Sequence, residues 1–600
     1  MEKQVLTDFQ GKLKGRLEKI EDSIIEFDRY KSTHHVGLCS ASYNIDIIRR
    51  LVSGMIFGVP NFKSEVQQRF TLFELVEFRP MHFGAAAITT ETLPDIRREI
   101  FERIRDEWFN GSKVAYILLR GNPVNYDLVV APEGYFFEEV WNYPLIGGEL
   151  KFLAQEALVK FINADLPVGS PVVGKLVAQE DVDVKVNSSL LTEYHMGIFA
   201  YTGGGKSNLV SHLVRLIITN NPYTKVVIFD VAGEYTINLA DLMISDNVES
   251  LLVLEESITE PQHLVSRFTI PKNIVYSDQL HATLGLANLL LQKRRVARVS
   301  GSQVAFPYLS SRVTYHDIAS IITEKIDYYS DKGRNTGAKI MMQHSLKQLM
   351  DFLSEKKLDF DTPVGPELEE FVAKIGDGTT HRSVQMLLTE LREFLNLGLH
   401  QTGYSNTVSN DGLTDSYIVK LLNSVEGPRL FILSFTDVSR LRRFMANLCS
   451  RTLQYRKSRF TKNPLVLFVF DEAQEMIPKD AKDEDGTRFS SYSVEQLLRQ
   501  GRKYGLGGAI VTQRLAYLNT NVLQQIHTYF VGTLPRPYDR TTISDQFALD
   551  PAIVDRTLSL RSGEWLLSSY EATGVRNTPI FIKAPNNEAV VSETLKSIRA

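Results

Sequence analysis

Between residues 4 and 28 the apolar residues Leu6, Phe9, Leu13, Leu17, Ile20 and Ile24 recur every three or four positions, with charges between them. That spacing predicts an amphipathic helix. From residue 34 to 186 the pattern shifts to short strand-like runs, at His35–Ser40, Phe70–Phe78, Ala115–Leu119, Tyr126–Val130 and Val182–Val186. One helical stretch, Leu93–Phe109, interrupts them. Short strands separated by Gly, Pro and Asn turns predict a small barrel or sandwich.

After residue 190 apolar strands alternate with helices. Met196–Ala200 precedes a helix from Ser207, then Val226–Phe229 follows. The alternation returns at Leu430–Ser434, Leu465–Phe470, Gly508–Val511 and Thr528–Val531. Continuous apolar strands between helices predict a parallel sheet covered on both faces. The intervening chain is helix-rich, as at Leu284–Leu291, Ile318–Tyr329 and Val384–Phe394. The expected organisation is an N-terminal helix (1–33), a β-rich domain (34–186), an α/β core in two parts (187–274 and 425–558), a helical insertion (275–424) and a closing segment that braces the core (559–600).

Composition narrows the class. The chain has 600 residues, 43% hydrophobic and 23% charged, which excludes a disordered or collagenous chain. Its length suggests about three or four domains. Lys and Arg number 67 against 71 Asp and Glu, a net charge of -4, so any nucleic-acid contact must come from a local patch or a ring channel. Two distant cysteines, Cys39 and Cys449, exclude a disulfide framework and fit a reducing compartment. The polar start and the lack of a long apolar run predict a soluble, cytoplasmic protein with no signal peptide or membrane span.

The chemistry concentrates at four strand ends. Ala200-Tyr-Thr-Gly-Gly-Gly-Lys206-Ser207 has the small residues, the Lys and the hydroxyl of a phosphate-binding loop, between a strand and an amphipathic helix. Thr202, Gly203, Gly204, Gly205, Lys206, Ser207 and Asn208 form the expected ATP-binding set, with Ser207 on Mg²⁺. A second strand ends in Asp471-Glu472, suited to hold Mg²⁺ and to activate water respectively. A third ends in Asp230, four residues before Glu234, where both could reach the metal or the attacking water. A helix N-cap is the alternative for Asp230. A fourth ends in Gln513, which would sense the γ-phosphate or else serve only as a loop residue. Arg499 and Arg502, ahead of Arg514 as candidates, could enter a neighbouring subunit's site, or simply complete a helix end.

These motifs together resemble the HerA/FtsK group of P-loop ATPases, HerA most closely. The supporting stretches are Gly197–Asn208, Asp230-Val-Ala-Gly-Glu-Tyr235, Phe470-Asp-Glu-Ala-Gln474 and Arg499–Gly505 running into Thr512-Gln-Arg514. Leu534–Asp539 and Leu560-Arg-Ser-Gly-Glu564 resemble the family's C-terminal part, and Pro171–Val177 the end of its N-terminal β-barrel. Ala200 replaces the usual first loop Gly, Gln474 stands where many relatives have His, and no proline follows Gln513-Arg514. The resemblance implies a RecA-like α/β core in a homo-hexameric ring, nucleotide at the subunit interfaces and double-stranded DNA through the channel. It also implies an effector partner near the N-terminal barrel, a nuclease in DNA-end processing or a nuclease or sirtuin-like protein in anti-phage defence.

Candidate DNA-contacting stretches are Ile477–Arg488 with Lys479 and Lys482, the cluster Lys293-Arg294-Arg295 with Arg298, and Arg440, Arg442, Arg443 and Arg451. Each equally fits a solvated helix face. Three functions stay open on these residues: a DNA translocase or helicase, an ATP-regulated scaffold that switches on an effector, and a protein pump.

Overall fold

The computed structural model describes residues 5–599 apart from 28–29, 65–66, 87, 89–92, 111–112, 272–278, 300–314, 331–335, 360–361, 363, 366, 377–380, 389–390, 392–414 and 483–485. The chain forms two compact units, each from three segments. Residues 1–220, 512–516 and 526–586 form the first, and 221–511, 517–525 and 587–600 the second.

The first unit opens with an antiparallel sheet. Its strands are β1 (Leu6–Thr7), β2 (Gly15–Phe27), β3 (Tyr30–Ser42), β4 (Ile56–Pro60), β5 (Gln68–His82), β6 (Ala115–Ala131), β7 (Gly134–Glu139) and β8 (Lys151–Leu153), in the order β1-β8-β4-β5-β6-β3-β2 with β7 on β6. The helix predicted over 4–28 is therefore replaced by β1 and the first arm of a hairpin, β2 on β3. Leu13, Gly15 and Leu17 face inward while Lys14, Arg16 and Glu18 face outward, a period of two. The four-residue step from Leu13 to Leu17 fits a helix and a strand equally, and two glycines decide. Gly11 sits at φ +78°, and a Cβ on Gly15 would meet Leu150 Cδ2 at 2.5 Å. Gly inside a helix would also cost about 1 kcal/mol each. The predicted helix at Leu93–Phe109 is present as Pro94–Asn110.

Further strands follow. β9 (Val172–Leu176), β10 (Gln179–Lys185) and β11 (Met196–Phe199) belong to the first unit. β12 (Lys225–Asp230), β13 (Ser250–Leu254), β14 (Val296–Arg298), β15 (Leu430–Ser434), β16 (Val466–Phe470) and β17 (Leu506–Thr512, its last residue in the first unit) build the second. β18 (Thr528–Val531), β19 (Glu564–Ser569) and β20 (Ile580–Lys583) return to the first. There the order is β10-β9-β20-β19-β18-β11, with β18 parallel to β11 and the other pairs antiparallel. Residues 172–185, assigned by sequence to the β-rich domain, thus pair with the C-terminal strands instead. In the second unit the order is β17-β16-β12-β15-β13-β14, all parallel. β12, β13 and β16 are buried along their whole length, as expected of strands covered on both faces.

The helical insertion starts later than predicted, because β14 pairs with β13. Arg294, at φ +54°, ends the preceding helix and lets the chain re-enter the sheet. Helices Tyr315–Ser330, Thr336–Lys356 and Leu368–Gly376 then share their own core around Ile318, Met342, Leu349, Phe352 and Phe371. Of the predicted helix at Val384–Phe394, the described residues 382–388 are helical. The closing segment is divided. β19 and β20 join the first unit, while Glu588–Arg599 packs on Gln279–Gln292 in the second, so closely that a Cβ on Gly285 would meet Ile598 Cγ2 at 2.7 Å. Among the described residues no helix is long and apolar enough to cross a membrane.

One buried cation ties the second unit together. Arg456, on helix Val438–Arg459, is 0% exposed. Its guanidinium donates to Lys462 O (2.6 Å), Tyr504 O (3.0 Å), Pro464 O (2.6 Å) and Leu422 O (3.4 Å), and to Asn423 Oδ1. Burial lowers its pKa to about 10, so it stays charged at neutral pH. Arg456→Met would leave these acceptors unpaired, at about 1–3 kcal/mol for each that water cannot reach. We expect a loss of about 3 kcal/mol or more, read as a fall of several degrees in the melting midpoint of the second unit. An unchanged midpoint would refute this role.

Candidate nucleotide site

The loop between β11 and helix Lys206–Asn220 is set by its small residues. Gly203 and Gly205 lie at φ +86° and +91°, a region costly for residues with a Cβ. The loop closes on itself through Gly204 N to Tyr201 O (3.1 Å) and is tied down by Tyr201 N to Thr533 O (3.1 Å). Ala200, the departure from the usual glycine, is fully buried and fits because two neighbours lack side chains. Its Cβ lies 2.9 Å from where a Cβ on Gly204 would sit and 2.8 Å from one on Gly532. Lys206 Nζ donates to Tyr201 O at 3.3 Å, folding the cation over the loop. Thr202 Oγ1 bonds Gln513 Oε1, so the predicted sensor stands at the loop.

The first unit thus gathers Thr202, Gly203, Gly204, Gly205, Lys206, Ser207, Asn208 and Gln513. The C-terminal strands add residues not assigned from sequence. Ser562 Oγ lies 3.4 Å from Gly203 O, Gly563 N would stand 3.4 Å from a Cβ on Gly205, and Asn208 Nδ2 donates to Pro585 O at 2.9 Å. The stretch Leu560–Glu564 marked this turn, but nothing in its composition gave it a place at the loop.

The second unit gathers the acidic residues Asp230, Glu234, Asp471 and Glu472. Phe229 and Phe470 are register partners on β12 and β16, so Asp230 and Asp471 leave adjacent parallel strands together. Asp230 is 0% exposed, and both its oxygens are engaged. Oδ1 accepts from Gly233 N (2.8 Å) and Glu234 N (3.3 Å), and Oδ2 from Tyr235 N (3.0 Å). Asp230 therefore anchors the 231–235 turn, and the N-cap of the short helix Tyr235–Asn238 is Glu234 rather than Asp230, so the capping alternative does not hold. Burial pushes its carboxyl up to about 6 against the pull of those three N–H groups.

Asp471 is pushed well above the usual carboxylate range, first by burial and then by Asp230, Glu472 and Glu234. Tyr235 is buried beside these four acids, and among the described residues its hydroxyl has no hydrogen-bond partner. An orphan donor among crowded carboxylates leaves negative charge uncompensated, and the donor set fits a hydrated divalent cation. Among the described residues no three or more His, Cys, Asp or Glu side chains form a metal cage by themselves. Mg²⁺ usually takes only one or two carboxylates besides water and phosphate. Glu472 sits at φ +46°, and Gln474 Nε2 donates to its Oε2 at 2.7 Å.

Arg499 lies 3.8 Å from Glu495 and Arg502 begins a short 3₁₀ turn, both in the second unit. Several basic candidates for DNA contact are structural. Arg295 donates to Met243 O and Ser245 O (2.6 Å each), Lys293 to Asp246 (2.5 Å), and the buried Arg442 to Glu475 O (2.9 Å). Arg440 lies 3.6 Å from Glu255. Lys479 and Lys482 remain exposed.

Residues 171–451 match the family model described as the central domain of helicase HerA. The DNA double-strand break repair helicase HerA of Pyrococcus furiosus is 20% identical, over 70% of each chain. That of Sulfurisphaera tokodaii is 23% identical, again over 70% of each. A probable helicase of Methanocaldococcus jannaschii is 24% identical over 67% of this chain and 68% of its own. Among solved structures, VirB4 of Thermoanaerobacter pseudethanolicus aligns with TM-score 0.39 and 15% identity, covering 70% of this chain and 98% of its own.

The two readings of Asp230 separate experimentally. Asp230→Asn keeps the acceptor for Gly233 N and Glu234 N but sets an NH2 group against Tyr235 N, so it should lose less stability than Asp230→Ala and keep ATP turnover within about tenfold of wild type. Asp230→Ala should lower the melting midpoint through about 1–3 kcal/mol of lost hydrogen bonding. Collapse of turnover in a stable Asn variant would restore the direct role.

Proposed function

We propose that this chain, a HerA-like ATPase and so an ATP-hydrolysing enzyme, is a translocase or helicase on double-stranded DNA, driven by ATP in a homo-hexameric ring. The observation that carries this reading is the complete phosphate-binding loop 200–207 within the region that matches the HerA central domain. Relatives named as DNA double-strand break repair helicases support the choice of DNA.

In this reading Lys206 and the backbone of Thr202–Gly205 bind the phosphates, and Asn208 steadies the loop from its helix. Ser207 and Asp471 hold Mg²⁺, whose chemistry is to neutralise phosphate charge. Glu472 takes the proton of the attacking water. Glu234 adds negative charge beside Asp471, and Gln513 reads the γ-phosphate. Arg499 or Arg502 of a neighbouring subunit completes the site. We read the N-terminal sheet as barrel-like and as the docking face of a nuclease or sirtuin-like effector, in DNA-end processing or defence. Backbone bonds from β2 to the chain just ahead of β8 (Leu17 N to Gly148 O and Leu150 N to Gly15 O, each 3.0 Å) support closure of that sheet.

Two experiments test the reading. Lys206→Ala and Glu472→Ala should each abolish hydrolysis, with ATP binding retained in the second; wild-type turnover in purified Glu472→Ala would sink the assigned base. Steady-state hydrolysis with and without linear double-stranded DNA, alongside mass by light scattering, tests the rest. A six-subunit mass with DNA-stimulated turnover is expected. A ring whose hydrolysis ignores DNA would favour the scaffold.

A further inference from the structure

We propose that Gln474 is a positioning residue for ATP hydrolysis: its side-chain amide fixes the carboxylate of Glu472 where it can accept the proton of the attacking water. This rests on the reading of Glu472 as the base.

Glu472 leaves β16 in the left-handed region, φ +46° and ψ +50°. A non-glycine residue there costs on the order of 1–3 kcal/mol and persists only where its surroundings hold it. What holds it is the short helix Ala473–Met476, whose end is anchored at three successive carbonyls. Arg442 Nε donates to Glu475 O (2.9 Å), Ser490 Oγ to Met476 O (2.5 Å) and Asn519 N to Ile477 O (3.1 Å). Arg442 is 8% exposed and Ser490 0%. The turn that carries Gln474 is therefore a fixed platform.

From that platform Gln474 Nε2 donates to Glu472 Oε2 at 2.7 Å, the length of a charge-assisted bond. A glutamate side chain has three rotatable bonds, and a base must stand within hydrogen-bond reach of its water. A misplacement of about 1 Å costs on the order of 10²-fold in rate. The donor is what matters at position 474: Ala supplies none, and an ionised Glu supplies only acceptors beside another carboxylate. His has a ring N–H and can restore the bond.

The experiment uses the full chain with Mg²⁺ and linear double-stranded DNA. It compares kcat, KM, affinity for a fluorescent ATP analogue and melting midpoint across Gln474→Ala, Gln474→Glu, Gln474→His, Glu472→Gln and the double variant Gln474→Ala/Glu472→Gln. We expect Gln474→Ala and Gln474→Glu to lose about 10–100-fold in kcat, with nucleotide affinity and melting midpoint held. Gln474→His should recover most of that loss, and Gln474→Ala should cost nothing further on top of Glu472→Gln. Near-wild-type kcat in Gln474→Ala, a fall in affinity or melting that matches the loss of kcat, or additive losses in the double variant would each overturn the proposal. Wild-type turnover in Glu472→Gln would overturn the base assignment and this proposal with it. Inactive Glu472→Gln beside fully active Gln474→Ala would overturn this proposal alone.

Discussion

A single guanidinium governs where the acidic site of the second unit can form. Arg456 grips the carbonyls of Lys462, Pro464 and Tyr504, which lie just ahead of β16 and β17. A strand advances about 3.3 Å per residue, so fixing where it begins fixes where it ends. β16 is five residues long and delivers Asp471 and Glu472 at its far end. The in-register pairing of β16 with β12 then brings Asp230 to the same level. Asp230, Asp471 and Glu472 are thus aligned by a cation at the opposite end of the strands. No acidic partner is needed there, because backbone carbonyls share the charge.

The same economy explains how a chain of net charge -4 distributes its cations. The dense clusters around Lys293 and Arg440 looked like surfaces for a polyanion. Arg295 and Arg442 instead cap carbonyls in the interior, where a planar donor fork satisfies several acceptors at once. Carboxylates are handled in the opposite way. Asp230 is satisfied by backbone N–H groups, whereas Asp471 is left crowded by three other acids. Perturbed carboxylates of this kind collect at functional sites more often than at structural ones.

Strands β11, β12, β15, β16, β17 and β18 were legible in the sequence to within two residues, because strands buried on both faces are continuously apolar, whereas β13, although equally apolar and buried, and the antiparallel β19 and β20 were not named. The glycine-rich loop was equally plain, since Gly203 and Gly205 stand at positive φ, where a Cβ is costly. The N-terminal hairpin was hidden by Leu13 and Leu17, whose spacing of four suits both periods, and the glycines that settle the matter act through packing against Leu150. β14 was lost because three residues are too few for a period. Residue types marked Lys206, Ser207, Asp471 and Glu472 as candidates, but not how the neighbours of each are used. That Asp230 serves its own turn, that Ser562 borders the loop and that Gln474 grips Glu472 are facts of geometry with no spacing to announce them.

The interleaving of the two units has a consequence for dissecting the protein. Each unit is assembled from three stretches of chain. A fragment ending at residue 220 would carry β11 without β18, its parallel neighbour, and would strip β9 of β20. Both halves of such a cut would expose unpaired strand edges, which invite aggregation. The modules of this protein are therefore spatial rather than contiguous in sequence: neither unit can be cut out as a single stretch of chain.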